Sequence, residues 1–199
     1  MQNVEAEVHL SAAVRNAAVS ASKIASDIRL LGSGPRTGFA ELVLPPVQPG
    51  SSIMPGKVNP SMAEMLNQVC YQVYGCDTTV WTAATGAQLE LNVMMPVVAW
   101  NLLHEVRILG NALDAFTTRC VDGIEADEER CMTLVQWSTA IATALAPRLG
   151  YHEAAALAKE SFKKGVPVRE LVVQKGLMTE KEAKAALDPI KLTKPGVFE

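Results

Sequence analysis

Leu10, Val14, Ala17, Ala21, Ile24, Ile28 and Leu31 follow one another at alternating steps of four and three residues. That spacing holds an apolar stripe on one side of a helix and is the pattern of long helices packed side by side. Met62, Leu66, Val69, Val73, Cys76 and Val80 repeat it, as do Leu102, Val106, Leu109, Leu113, Phe116 and Cys120. A fourth stretch, Met132, Val135, Thr139, Ala142, Leu145 and Leu149, is less regular. The first stripe predicts a helix over residues 3–31, about 40 Å long. Four such stripes predict an all-α, long-helix bundle with up-down connections. Small residues on the stripes, such as Ala17, Ala21 and Ala142, let helices approach closely. Val98, Trp100 and Leu103 fall off the third stripe, so burial on several sides, and with it an oligomer, is expected.

The interruptions organise the chain. Gly32-Ser33-Gly34-Pro35 stops the first helix, since proline cannot continue it. Residues 32–60 form a connection rich in Gly, Pro and Ser, with one strand-like piece, Glu41-Leu42-Val43-Leu44. A connection of that length inside a compact domain is usually functional or disordered. Further breaks fall between Gly86 and Pro96 and at Asp122-Gly123. After Pro147 and Gly150 the pattern shortens to three helical pieces, near 152–163, 168–175 and 180–187. Thr179-Glu180-Lys181-Glu182 has the form of a capping box, in which hydroxyl and carboxylate satisfy each other's free N–H groups. Two parts are therefore expected: residues 1–149, a bundle segment that includes the loop 50–60, and residues 150–199, a small C-terminal helical subdomain.

Composition excludes several functions. The 199 residues carry 18 basic against 21 acidic side chains, a net charge of −3, which argues against a nucleic acid or an anionic membrane held by a basic face. No apolar run reaches the roughly 18 residues of a membrane span, and the start, MQNVEAEVH, lacks a signal-peptide pattern. Cys70, Cys76, Cys120 and Cys131 show neither CxxC pairing nor a spaced histidine partner, so neither zinc nor a disulfide framework is expected. A cytoplasmic protein is the resulting expectation.

The chemistry concentrates in Gly50-Ser51-Ser52-Ile53-Met54-Pro55-Gly56-Lys57-Val58-Asn59-Pro60. A phosphate-binding P-loop does not fit. Five residues rather than four separate the glycines, and Val58 stands where a magnesium-binding hydroxyl is required. Two readings stay open on the residues alone. One is a plain connector with a solvated Lys57. The other is a loop that handles a carboxylate: glycines for close approach, Asn59-Pro60 as a helix start whose free N–H groups attract an anion, and Lys57 as a full positive charge. Beside such groups a serine alkoxide could act as a base.

GSSIMPGKVNP resembles the signature of the fumarase/aspartase superfamily. Ser22-Lys23-Ile24-Ala25-Ser26-Asp27-Ile28-Arg29-Leu30, Ser33-Gly34-Pro35-Arg36-Thr37-Gly38, Gly123-Ile124-Glu125-Ala126, Val168-Arg169-Glu170 and Leu177-Met178-Thr179-Glu180 extend the resemblance through nearly the whole chain. Asn67-Gln68-Val69-Cys70, Gln88-Leu89-Glu90-Leu91-Asn92-Val93-Met94 and the ending around Leu187-Asp188-Pro189 and Thr193-Lys194-Pro195-Gly196 look more like the aspartate ammonia-lyase branch than class II fumarases, which usually carry Phe where Leu89 stands. Departures are Gln2-Asn3-Val4-Glu5, Phe39-Ala40, and Cys76 in place of a usual Asn.

The resemblance implies reversible anti elimination of ammonia from L-aspartate to fumarate, with no organic cofactor, and no residue is singled out as a metal ligand. Ser51 matches the general base that removes the Cβ proton, giving an enediolate. Ser52, Lys57 and Asn59 match substrate-binding positions. A homotetramer with active sites shared between subunits is implied, with further substrate-binding Thr, Ser, Asn and His groups supplied by segments upstream of this chain's first residue. The alternatives are a fumarate hydratase acting on malate and fumarate, and an inactive helical oligomerisation fragment.

Overall fold

The structure, a computed structural model, describes residues 2–194. The chain divides into two compact units, Met1–Ala126 and Asp127–Glu199.

The first unit is built on three long helices, α1 (Glu5–Leu31), α2 (Ser61–Ala84) and α3 (Met95–Arg119). Here α2 packs extensively against both α1 and α3. The core holds Ala18, Ala21, Ala25, Ala63, Leu66, Cys70, Val73, Leu109, Ala112 and Phe116. The row of α1 that turns inward is Ser11, Val14, Ala18, Ala21, Ala25 and Ile28, one residue out of phase with much of the expected stripe. Leu10 and Ile24 are consequently more than half exposed, as are Trp100 and Leu103 on α3, each at 71%. Inside, small side chains allow the helices to close up. Outside, large apolar ones stay in solvent.

The strand-like piece forms β1 (Leu42–Val43), which pairs antiparallel with β2 (Glu125–Ala126). Asn92 organises the link from α2 to α3. Its amide donates to the Ala83 and Ala84 carbonyls at 3.2 and 3.4 Å, and its oxygen accepts the Met94 N–H at 2.8 Å. One buried side chain thus satisfies orphan groups at the end of one helix and the start of the next. Between the two helices Leu89 is held at φ +48° with its side chain in solvent.

The second unit starts with α4 (Glu128–Trp137), a 3-10 stretch (Thr139–Leu145) and α5 (Ala146–Leu149). The fourth long helix suggested by the weaker stripe does not form. Ser138 is extended at ψ 125° and caps the next turn through its side chain, while Pro147 and Gly150 confine α5 to a single turn. Then come α6 (Tyr151–Lys164), α7 (Val168–Gln174), α8 (Glu180–Ala186) and α9 (Pro189–Leu192). Ala142, Ala144 and Leu145 share a core with Leu157, Val168, Leu171, Val172 and Leu187. The division therefore falls after residue 126 rather than at 149/150, because the 3-10 stretch buries its apolar residues against α6. The capping box forms: Thr179 N–H donates to Glu182 Oε2 at 2.8 Å, and Glu182 N–H to Thr179 Oγ1 at 3.3 Å. Pro195-Gly196, part of the family-like ending, lies outside the described residues. Among the described residues no helix is long and apolar enough to cross a membrane.

Candidate active site

The loop 50–59 closes on itself. Gly50 N–H donates to the Lys57 carbonyl at 2.8 Å, and the Asn59 amide donates to the Gly50 carbonyl at 2.9 Å. A Cβ at residue 50 would come within 2.5 Å of the Lys57 oxygen, so only glycine fits this crossing. Gly56 turns the chain at φ +76°. The base of the loop is tied to α2 by Gln48 Nε2, which donates to Ser61 Oγ at 3.0 Å.

Within the loop, Ser51 Oγ accepts two backbone hydrogen bonds, from Ile53 N–H at 3.1 Å and Met54 N–H at 3.0 Å. Two amide dipoles thus point at one hydroxyl oxygen, the arrangement that stabilises negative charge on it. These donors differ from the expected ones, which placed Asn59 as the cap of α2 with the helix N-terminus facing the loop. Instead α2 begins at Ser61, Pro60 holds the cap position without a side-chain bond, and Asn59 spends its amide on Gly50. The anion-stabilising groups come from the turn beside Ser51, a local geometry that residue spacing does not encode.

Lys57 and Asn59 line a cavity of about 480 Å³ with Ser26, Arg29, Ser33 and Pro60, between the loop and the C-terminal end of α1. Ser51 and Ser52 lie outside that lining, and Ser52 is exposed in the same turn. The structure therefore brings two of the four expected site residues into one cavity and places the two serines on the loop beside it. Lys57 pairs with no carboxylate among the described residues.

Arg29, which residue spacing does not single out, adds a second cation to this cavity. Its Nη2 lies 3.8 Å from Glu64 Oε1 in the first turn of α2. The buried Asn67 amide sits between Ser22 and Ser26 on α1 and, with its oxygen turned toward Arg29, accepts from Nη1 at 3.2 Å. The usable signal is positional: Arg29 occupies the last turn of α1, just before the break that leads into the loop.

Two family models match, one described as lyase over residues 1–75 and one as fumarase C C-terminus over residues 141–194. Aspartate ammonia-lyase from Bacillus subtilis is 48% identical over 196 residues, covering 98% of this chain and 41% of the relative. The chain belongs to the fumarase/aspartase superfamily. Class II fumarate hydratase 2 from Bradyrhizobium diazoefficiens is 46% identical over 192 residues, 96% of this chain and 41% of that relative. Among solved structures, fumarate lyase:delta crystallin from Brucella melitensis bound to cobalt matches with TM-score 0.91 and 48% identity, over 97% of this chain and 42% of that one. Recombinant class II fumarase from Schistosoma mansoni matches with TM-score 0.90 and 35% identity, over 96% and 40%. The chain thus spans about two fifths of the length of these superfamily members, and the all-α architecture is common to them.

Proposed function

We propose that the chain carries the catalytic loop of an ammonia-lyase that interconverts L-aspartate with fumarate and ammonia. The observation that carries this reading is the pair of amide N–H groups on Ser51 Oγ. A serine hydroxyl is a poor base until its alkoxide is stabilised, and two fixed amide dipoles supply that without reorganisation. Ser51 then takes the Cβ proton. The electron pair passes into the neighbouring carboxylate as an enediolate, and its return expels ammonia from Cα to leave fumarate. Lys57 and Asn59, with Ser52 contributing from the loop, hold the substrate carboxylates and balance the charge that develops on the enediolate. The elimination as written calls on no organic cofactor. Closure of the loop over the substrate would exclude water and align the groups.

The exposed apolar rows on α1 and α3, with Leu10, Ile24, Trp100 and Leu103, support self-association, in line with a homotetramer whose active sites are shared between subunits. Fumarate hydration is the second reading, favoured by the Bradyrhizobium hydratase at 46% identity. An inactive oligomerisation fragment is the third, given the two-fifths coverage.

A paired assay separates them. Fumarate absorbance is followed with L-aspartate and with L-malate, using the chain itself and a chimera in which it replaces the matched residues of the Bacillus subtilis relative. Aspartate turnover by the chimera, with malate inert, is the expected result; malate turnover alone hands the function to the hydratase. A chain that is inactive while its chimera works identifies it as a part that needs the rest of the site. Ser51→Ala in the active form should lower turnover by about a thousandfold or more, the scale on which loss of a catalytic base acts together with its stabilising donors, while leaving assembly intact.

A further inference from the structure

Glu105, midway along α3, has no exposed surface, and neither of its carboxylate oxygens has a hydrogen-bond partner among the described residues. It stands where the three long helices meet. From α1, Ser11 Oγ donates to Asp77 Oδ1 at 3.0 Å, and Arg15 Nε lies 3.2 Å from Asp77 Oδ2. From α2, the Asp77 carboxylate acts on Glu105, and a Glu105 charge would in turn act on the Cys76 thiol. The 3-10 turn Val121–Gly123, which also packs against α3, carries Asp122 at the far end of that helix. Arg15 is committed to Asp77, so the cation at this junction already has its counter-ion.

An ionised Glu105 would be desolvated and next to a second carboxylate, two conditions that each penalise the charge, and the nearby Ser11 hydroxyl, already given to Asp77, offsets only part of the cost. The neutral acid avoids both. It also brings an O–H donor to the neighbourhood of the Ser11 oxygen, whose own proton is used on Asp77. We propose that Glu105 is held as a neutral carboxylic acid between the three helices, and that its ionisation is a pH-sensitive switch that loosens them. Burial pushes the Glu105 carboxyl up to about 7, with the Ser11 hydroxyl opposing and the Asp77 charge reinforcing the rise. Burial likewise raises the Cys76 thiol, with the Glu105 charge contributing.

The sign of the effect follows from linkage. The folded value lies above the ordinary 4.5, so between those two the folded chain holds a proton that the unfolded chain has released. Stability present below the ordinary value is therefore lost as pH rises toward about 7, and no more is lost above it.

Urea unfolding of the chain and of Glu105→Gln, followed by the helical circular dichroism signal from about pH 5 to about pH 8, isolates this group from every other carboxylate. The unfolding constant of the wild type relative to the variant should rise by up to about tenfold per pH unit and level off near neutrality. A ratio that stays flat, or one that falls with pH because the carboxylate is ionised and paired, overturns the proposal. Should the variant not fold, the infrared C=O band of a neutral carboxylic acid is read on the unaltered chain. That band should be present at about pH 6 and lost by about pH 8, and its absence at the lower pH overturns the proposal equally.

Discussion

The interior of the long-helix unit holds the side chains of Ser11, Asn67, Asp77, Asn92 and Glu105, whereas that of the C-terminal unit holds Ser161 alone among the described residues. Ser161 is fully accommodated, donating to the Val166 carbonyl at 2.6 Å next to the C-cap Gly165. The rest of that core is aliphatic, centred on Leu145, Leu157, Leu171 and Val172. In the first unit the polar groups instead bridge helices: Ser11 to Asp77, Ser22 to Asn67, Arg29 to Glu64. Non-directional apolar contact can hold short helices together in one compact piece. Long, alanine-rich helices can slide along one another, and directional bonds at fixed heights oppose that sliding. The polar cost falls on the unit that also presents the loop.

Three substitutions put this contrast to the test, with hydrogen exchange by mass spectrometry reading each unit separately. The largest loss is expected for Leu157→Ala, about 3–4 kcal/mol in the C-terminal unit and independent of pH, because it removes only packed methylenes. Retained protection there would mean that this core is looser than its burial implies. Next comes Asp77→Ala, about 2–3 kcal/mol in the long-helix unit, since it strands the Ser11 hydroxyl and the Arg15 guanidinium. The pH response of Glu105 should move to lower pH, because the change removes a like charge and frees Arg15, while burial, its first cause, keeps the carboxyl above its ordinary value. Thr179→Ala should cost least, about 1 kcal/mol, confined to the start of α8, where it opens the capping box. A response in both units to either of the first two variants would show that they do not open independently.

Much of the helical framework is legible from spacing. The expected helices at 152–163, 168–175 and 180–187 appear as α6, α7 and α8 with shifts of one residue at their ends, because caps and glycine stops act locally. The phase of the long helices is less legible. A four-three step gives the period, but α1 carries apolar residues on adjacent rows, and contact with α2 selects Ala18 and Ala25 over Ala17 and Ile24. Small residues win because they bring two backbones closer together. At the loop, Gly50, Ser51, Lys57 and Asn59 are visible as residues, whereas the bond from Asn59 to Gly50 and the amides on Ser51 depend on how the turn closes.

The helical class, the place of the connecting loop and the superfamily signature can all be read along the chain, because periodicity, breakers and a rare residue string are local properties. Folding in three dimensions settles which row of each helix turns inward, brings Arg29 to the same cavity as Lys57, and seals Glu105 between three helices. Those outcomes depend on which surfaces distant segments present to one another. Burial and charge proximity are properties of that meeting, and no single segment carries them.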